Sequence, residues 1–154
     1  MKRHLLLPCL AAGFVSLLYA QVPKPKIFAQ RLVESEMEKH PDLVIIAFHV
    51  TPPGEKENVI IASNIGRIGK KADEDDMRVI NTGKPNLEVN ATGDHFEVQM
   101  AQRDKAGKII GALAVVFPYK EGMDKEQLHA KGEEIRKEIE GQVPTLAKLF
   151  ETAK

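Results

Sequence analysis

Two stretches, Leu43–Val50 and Ile109–Phe117, are apolar at almost every position and rich in branched side chains. A strand with one wet face alternates polar and apolar residues, whereas a strand that is apolar throughout must be covered on both sides. Both stretches are far shorter than the roughly 20 residues of a membrane helix. They therefore read as central strands of a sheet with helices above and below. Val59–Ala62 is a second short strand, set off from the first by Thr51-Pro-Pro-Gly54 and paired with it as a hairpin. Leu87–Asn90 is a third. His95–Gln102 alternates cleanly, with Phe96, Val98 and Met100 on one face and His95, Glu97 and Gln99 on the other. Asp104–Lys108 turns that strand into Ile109–Phe117, which Pro118 ends.

The helices fall around these strands. Lys26–His40 carries Phe28, Leu32, Val33 and Met37 at helical spacing and stops at His40-Pro41, because a residue before proline avoids the helical region. Ala72–Ile80 is a short helix opened by acids and closed by Asn81–Pro85. Asp124–Glu140 is a longer one, with Asp124 as N-cap and Leu128, Ile135 and Ile139 on its buried side. Val143, Leu146, Leu149 and Phe150 form a last apolar helical stretch. The fold class is α+β: a roughly five-stranded antiparallel sheet flanked by N- and C-terminal helices.

Residues 1–20 read as an address rather than as structure. Lys2, Arg3 and His4 precede an apolar run, Leu5–Ala20, broken by Pro8, Gly13 and Ser16. That is the pattern of a secretory signal peptide cut after Ala20. The only cysteine, Cys9, falls inside the run and is expected to leave with it. No stable membrane span remains after cleavage, and the expected destination is the periplasm or the cell exterior. Residues 21–26, with Pro23 and Pro25, read as a linker. Residues 27–120 read as one domain, with 121–154 a helical segment packed on it. The chain of 154 residues balances 22 Lys+Arg against 22 Asp+Glu, and with no basic excess there is no reason to expect a nucleic-acid partner.

The order of these pieces resembles the PAS-like fold, in particular the extracytoplasmic Cache type of sensor domain, over roughly Lys26–Tyr119. The residues that carry the resemblance are a helix ending in His40-Pro41-Asp42 before Leu43–His49, then Val59–Asn64 leading into Ile65–Asp73, then Asn81–Pro85 before a strand, and finally Arg103–Val115 joining the last two strands. The resemblance implies a small molecule bound between the sheet and the segment linking the second and third strands. Many such domains signal through a membrane helix to an output domain. Here neither is seen, so the expectation is a stand-alone, exported, sensor-type domain that is not an enzyme.

The polar residues expected to line such a pocket are His49, Asn64, Arg67, Asn90, His95 and Gln99. Arg67, with its fork of donors, suits a carboxylate. Neighbours in one strand face opposite ways, so not all six can share one cavity. No catalytic set is recognised: neither Ser35 nor Ser63 sits in a Gly-x-Ser-x-Gly elbow. No cofactor or metal is expected, although a heme or metal held through His49 or His95 is a weaker alternative. No helical His pair or Cys-x-x-Cys-His supports it. Asp73–Asp76 reads as acids favouring a helix dipole rather than a calcium loop. Asn90-Ala-Thr92 is a glycosylation sequon. The rival to ligand binding is a non-enzymatic interaction module with a packed core, paired with itself or with a membrane receptor.

Overall fold

The computed structural model describes residues 26–153, so the leader expected at 1–20 and most of the linker lie outside the described residues. The elements run α1 (Phe28–Lys39), β1 (Ile45–Val50), β2 (Val59–Ser63), α2 (Glu74–Thr82), β3 (Asn86–Val89), β4 (His95–Arg103), β5 (Ile109–Pro118) and α3 (Lys125–Glu140). The five strands form one antiparallel sheet in the order β2-β1-β5-β4-β3. The two continuous apolar stretches, β1 and β5, are adjacent and central, as two-sided burial requires.

One face holds the main core. Ile46, Phe48 and Val50 of β1, Leu113, Val115 and Phe117 of β5, and Phe96, Val98 and Met100 of β4 pack against Leu32 and Val33 of α1 and Ile135 and Ile139 of α3. Helix α3 sits very close to the sheet at Gly132, where a Cβ would lie 2.9 Å from a methyl of Val98 and 3.2 Å from one of Val115. Asp124 caps α3 by accepting from the N–H groups of Glu126 and Gln127.

On the opposite face the one helix among the described residues is α2, which packs through a small cluster of Val79, Ala101 and Ala112. Alanines at these sheet positions let the short helix approach. Its start is fixed by a capping box: Asp73 accepts from the N–H groups of Asp75 and Asp76, and the Asp76 carboxylate returns a bond to the Asp73 N–H at 2.9 Å. Gly83, at φ 70°, ends it in the left-handed conformation.

One expectation changes. The stretch Val143–Phe150 does not form an α-helix; only Leu146–Phe150 coils, as a 3₁₀ turn. Pro144 removes a backbone donor, and five residues are too few to recover α-helical bonding. Leu149 is still fully buried in the main core. Beyond it the chain runs beside its own start, with Phe28 N–H donating to Glu151 O and Ala153 N–H to Lys26 O, both at 2.8 Å. No helix among the described residues is long and apolar enough to cross a membrane.

Candidate functional site

The face covered by α2 is not filled. Between β2 and α2 the segment 64–73 arches over the sheet, tied to the β2 edge by Gly69 N–H on Ile60 O (2.8 Å), Ile60 N–H on Lys70 O (2.9 Å) and Ala72 N–H on Asn58 O (2.9 Å). Under this arch lies a cavity of about 150 Å³. Its floor is Ala47 and His49 of β1, Ile60 and Ser63 of β2, Glu97 and Gln99 of β4, and Ala114 of β5; its roof is Ile65, Arg67, Lys70, Asp73 and Asp76. A second hollow, about 500 Å³, continues along the sheet toward Asn90 and His95. The two share Ile45, Ile65, Glu97 and Val116 as a common wall.

The inner cavity is polar at its deep end. His49 Nδ1 stands 3.0 Å from Asp76 Oδ2, and both side chains are almost completely buried. This ion-pair contact is the one polar contact of Nδ1 among the described residues. Gln99 Nε2 donates to the other Asp76 oxygen, whereas Gln99 Oε1 is buried with no partner. Burial pushes the Asp76 carboxyl up, but His49 and the Asp73 backbone N–H outweigh it and hold Asp76 below its ordinary value. Glu97 is half-buried beside them. Burial first, then the nearby Asp76 and Glu88 carboxylates, raise its carboxyl above the usual range. Arg67 and Lys70 supply the cations of the roof, and Arg67 is the one described non-glycine residue with a positive φ, 61°.

The six residues expected from the sequence divide three ways. His49, Arg67 and Gln99 line the inner cavity. Asn90 and His95 line the outer hollow, but the Asn90 amide and His95 Nδ1 are engaged in the β3–β4 turn. There Asn90 Oδ1 accepts from the N–H groups of Asp94 and His95 at 3.1 Å each, and its Nδ2 donates to Thr92 and Asp94 at 2.8 Å. Bonds from Thr92, Asn90 and His95 hold the Asp94 carboxyl far below its ordinary value. Asn64 lines neither space. Its amide substitutes for a strand, accepting from Ile46 N–H (3.0 Å) and donating to Val44 O (2.9 Å).

His49 and His95 share a sheet face, yet they sit at opposite ends of it. His95 lies across from Pro118 and His49 across from Ala112 on the same strand. Six strand positions span about 20 Å, so the two imidazoles are not brought together on one metal or heme iron. The residues that spacing did not single out are Asp76, Glu97 and Lys70. Glu97 was legible as the alternation partner of His95 and Gln99. Asp76 carried no signal beyond its place in an acidic run.

No family model and no characterised protein matches the sequence. Among solved structures the chain is similar to the repressor BlcR of Agobacterium tumefaciens, with a TM-score of 0.50 at 12% identity over 75% of this chain and 67% of that one. It is also similar to a transcriptional-regulator domain of the IclR family, with a TM-score of 0.45 at 11% identity over 80% of this chain and 97% of that one. At such identity the likeness to BlcR is one of fold.

Proposed function

We propose that this chain is an exported, sensor-type domain of the PAS-like, Cache kind, which binds a small zwitterionic molecule under the 64–73 arch without transforming it. The observation that carries the reading is the polar end of the inner cavity: the buried Gln99 Oε1 has no hydrogen-bond partner, and His49 Nδ1 meets only the Asp76 carboxylate, 3.0 Å away. Buried polar atoms are normally bonded, and a cavity that keeps them open is built for something that bonds them. The Arg67 and Lys70 cations of the roof and the Glu97 carboxylate of the floor define the ligand's two ends. Its carboxylate meets Arg67 or Lys70, and its ammonium meets Glu97. The inner cavity and outer hollow together fall in the size range of small-molecule sites.

Two further features support the reading. A five-stranded antiparallel sheet with α2 and the arch leaving a hollow over one face is consistent with a ligand held between the sheet and the segment linking β2 and β3. The fold is also shared with a repressor, which favours sensing over chemistry. Export rests on the charged-then-apolar pattern of residues 2–20.

Arg67 provides the test. A left-handed backbone at a non-glycine residue costs about 1–2 kcal/mol, and such strain is often kept at a functional site. Arg67→Gly keeps that backbone and removes the guanidinium. Native mass spectrometry of the protein from its host identifies any retained ligand, and calorimetry with free amino acids serves as the probe otherwise. The expected result is a bound zwitterion whose affinity drops at least about tenfold, or about 1.4 kcal/mol, in Arg67→Gly, with folding intact. A protein that carries no small molecule and responds to no amino acid, carboxylate or amine sinks the proposal.

A further inference from the structure

On the other side of the sheet, far from the arch, α1 and α3 bring a second polar group together. Glu36 lies on the buried stripe of α1 and is fully inaccessible. One of its oxygens, Oε1, meets Lys39 Nζ at 2.9 Å. The other, Oε2, has no hydrogen-bond partner. It points at His40 Nε2, 3.4 Å away, which is also without a partner. That same nitrogen is 3.4 Å from Glu138 Oε1 at the end of α3. We infer that Glu36, His40 and Glu138 form a binding site for a zinc-like divalent cation that joins the end of α1 to the end of α3.

Three arguments carry this. The first is spacing. At 3.4 Å both contacts exceed the usual 2.7–3.2 Å of a hydrogen bond to nitrogen. They match the edge, about 3.3–3.4 Å, of a tetrahedron whose centre lies about 2.0–2.1 Å from each donor, the bond length of zinc to imidazole and carboxylate. The three donor atoms all lie within 4.8 Å of one another.

The second is donor chemistry. One imidazole nitrogen and two carboxylate oxygens suit zinc and its neighbours, with a fourth position for water. Calcium and magnesium need six or more oxygens, which this group does not offer.

The third is what already surrounds the donors. Lys39 Nζ holds Glu36 Oε1 at 2.9 Å and Glu138 Oε2 at 3.1 Å. It therefore takes one oxygen of each carboxylate and leaves the other facing His40. A cation between the three donors need not displace the ammonium, which instead orients both carboxylates toward it. Two carboxylates against one ammonium leave a negative charge for the cation to offset.

The rival account is a protonated His40 bridging the two carboxylates. The test uses the full chain without a histidine tag, stripped of metal by a chelator. Zinc is titrated by calorimetry at pH 7.5, and cobalt is followed by visible absorption. The expected result is one zinc per chain, a rise in Tm and the intense visible bands of four-coordinate cobalt. His40→Ala and Glu138→Gln, both at partly exposed side chains, weaken zinc binding at least about tenfold, with circular dichroism unchanged. A double His95→Ala, His129→Ala variant binds as the parent does. Absence of zinc binding overturns the inference, as does equal binding by His40→Ala and Glu138→Gln.

Discussion

Asp76 is where local and long-range demands meet in a single side chain. It completes the capping box of α2 and also faces His49 and Gln99 across the cavity. Its folded carboxyl is held below the usual 3.8. The ionised form therefore contributes stability above that pH, and the contribution is lost as pH falls through the lowered value. Glu97 opposes it: its raised carboxyl favours the neutral form, so its contribution fades as pH rises through the folded value. Asp76→Asn should cost about 1–3 kcal/mol at pH 7 by leaving His49 and Gln99 short of a partner. It should also flatten the acid limb of a Tm-against-pH curve. An unchanged acid limb would place the acid sensitivity elsewhere. The sequence did not disclose this role, because an acid in the first turn of a helix reads as dipole support and its partner lies on a distant strand. Glu36 did leave a trace: it interrupts the apolar stripe of Phe28, Leu32 and Val33 with a charge on the buried side.

The secondary structure was legible almost throughout, since the helices and β4 carried their own periods and β1 and β5 stood out as unbroken apolar runs. The two apolar stretches became the two central strands, and the cleanly alternating β4 kept Phe96, Val98 and Met100 in the core. What periodicity hid was the second face of β4. Gln99 and Ala101 are buried because α2 lies over them, and no local pattern says which face a short helix will cover. Asn64, read as a pocket residue, serves as an extension of the sheet, because a side-chain amide offers the same donor and acceptor as a strand backbone. Helix α3 depends on Gly132 for its close approach. Gly132→Ala places a methyl against Val98 and Val115 and should destabilise by about 1–3 kcal/mol despite alanine's better helix propensity. Chemical denaturation measures this, and a neutral or stabilising result would mean that α3 can lift without penalty.

On the scale of the molecule, one core joins both flanking helices, the sheet and the 3₁₀ turn. Leu149 sits in that core although it lies near the end of the described chain. Leu149→Ala should cost about 2–5 kcal/mol. It should also lower a single transition, with far-ultraviolet dichroism and hydrogen exchange at β5 reporting the same midpoint. Separate midpoints would show the terminal turn to be an independent appendage. The pairing of residues 26–28 with 151–153 has a mechanical result. Chain entering at residue 26 and chain leaving after 153 share one point on the surface. Tension applied between them loads the two 2.8 Å bonds one after the other, as a zipper is opened, before it reaches any strand of the sheet.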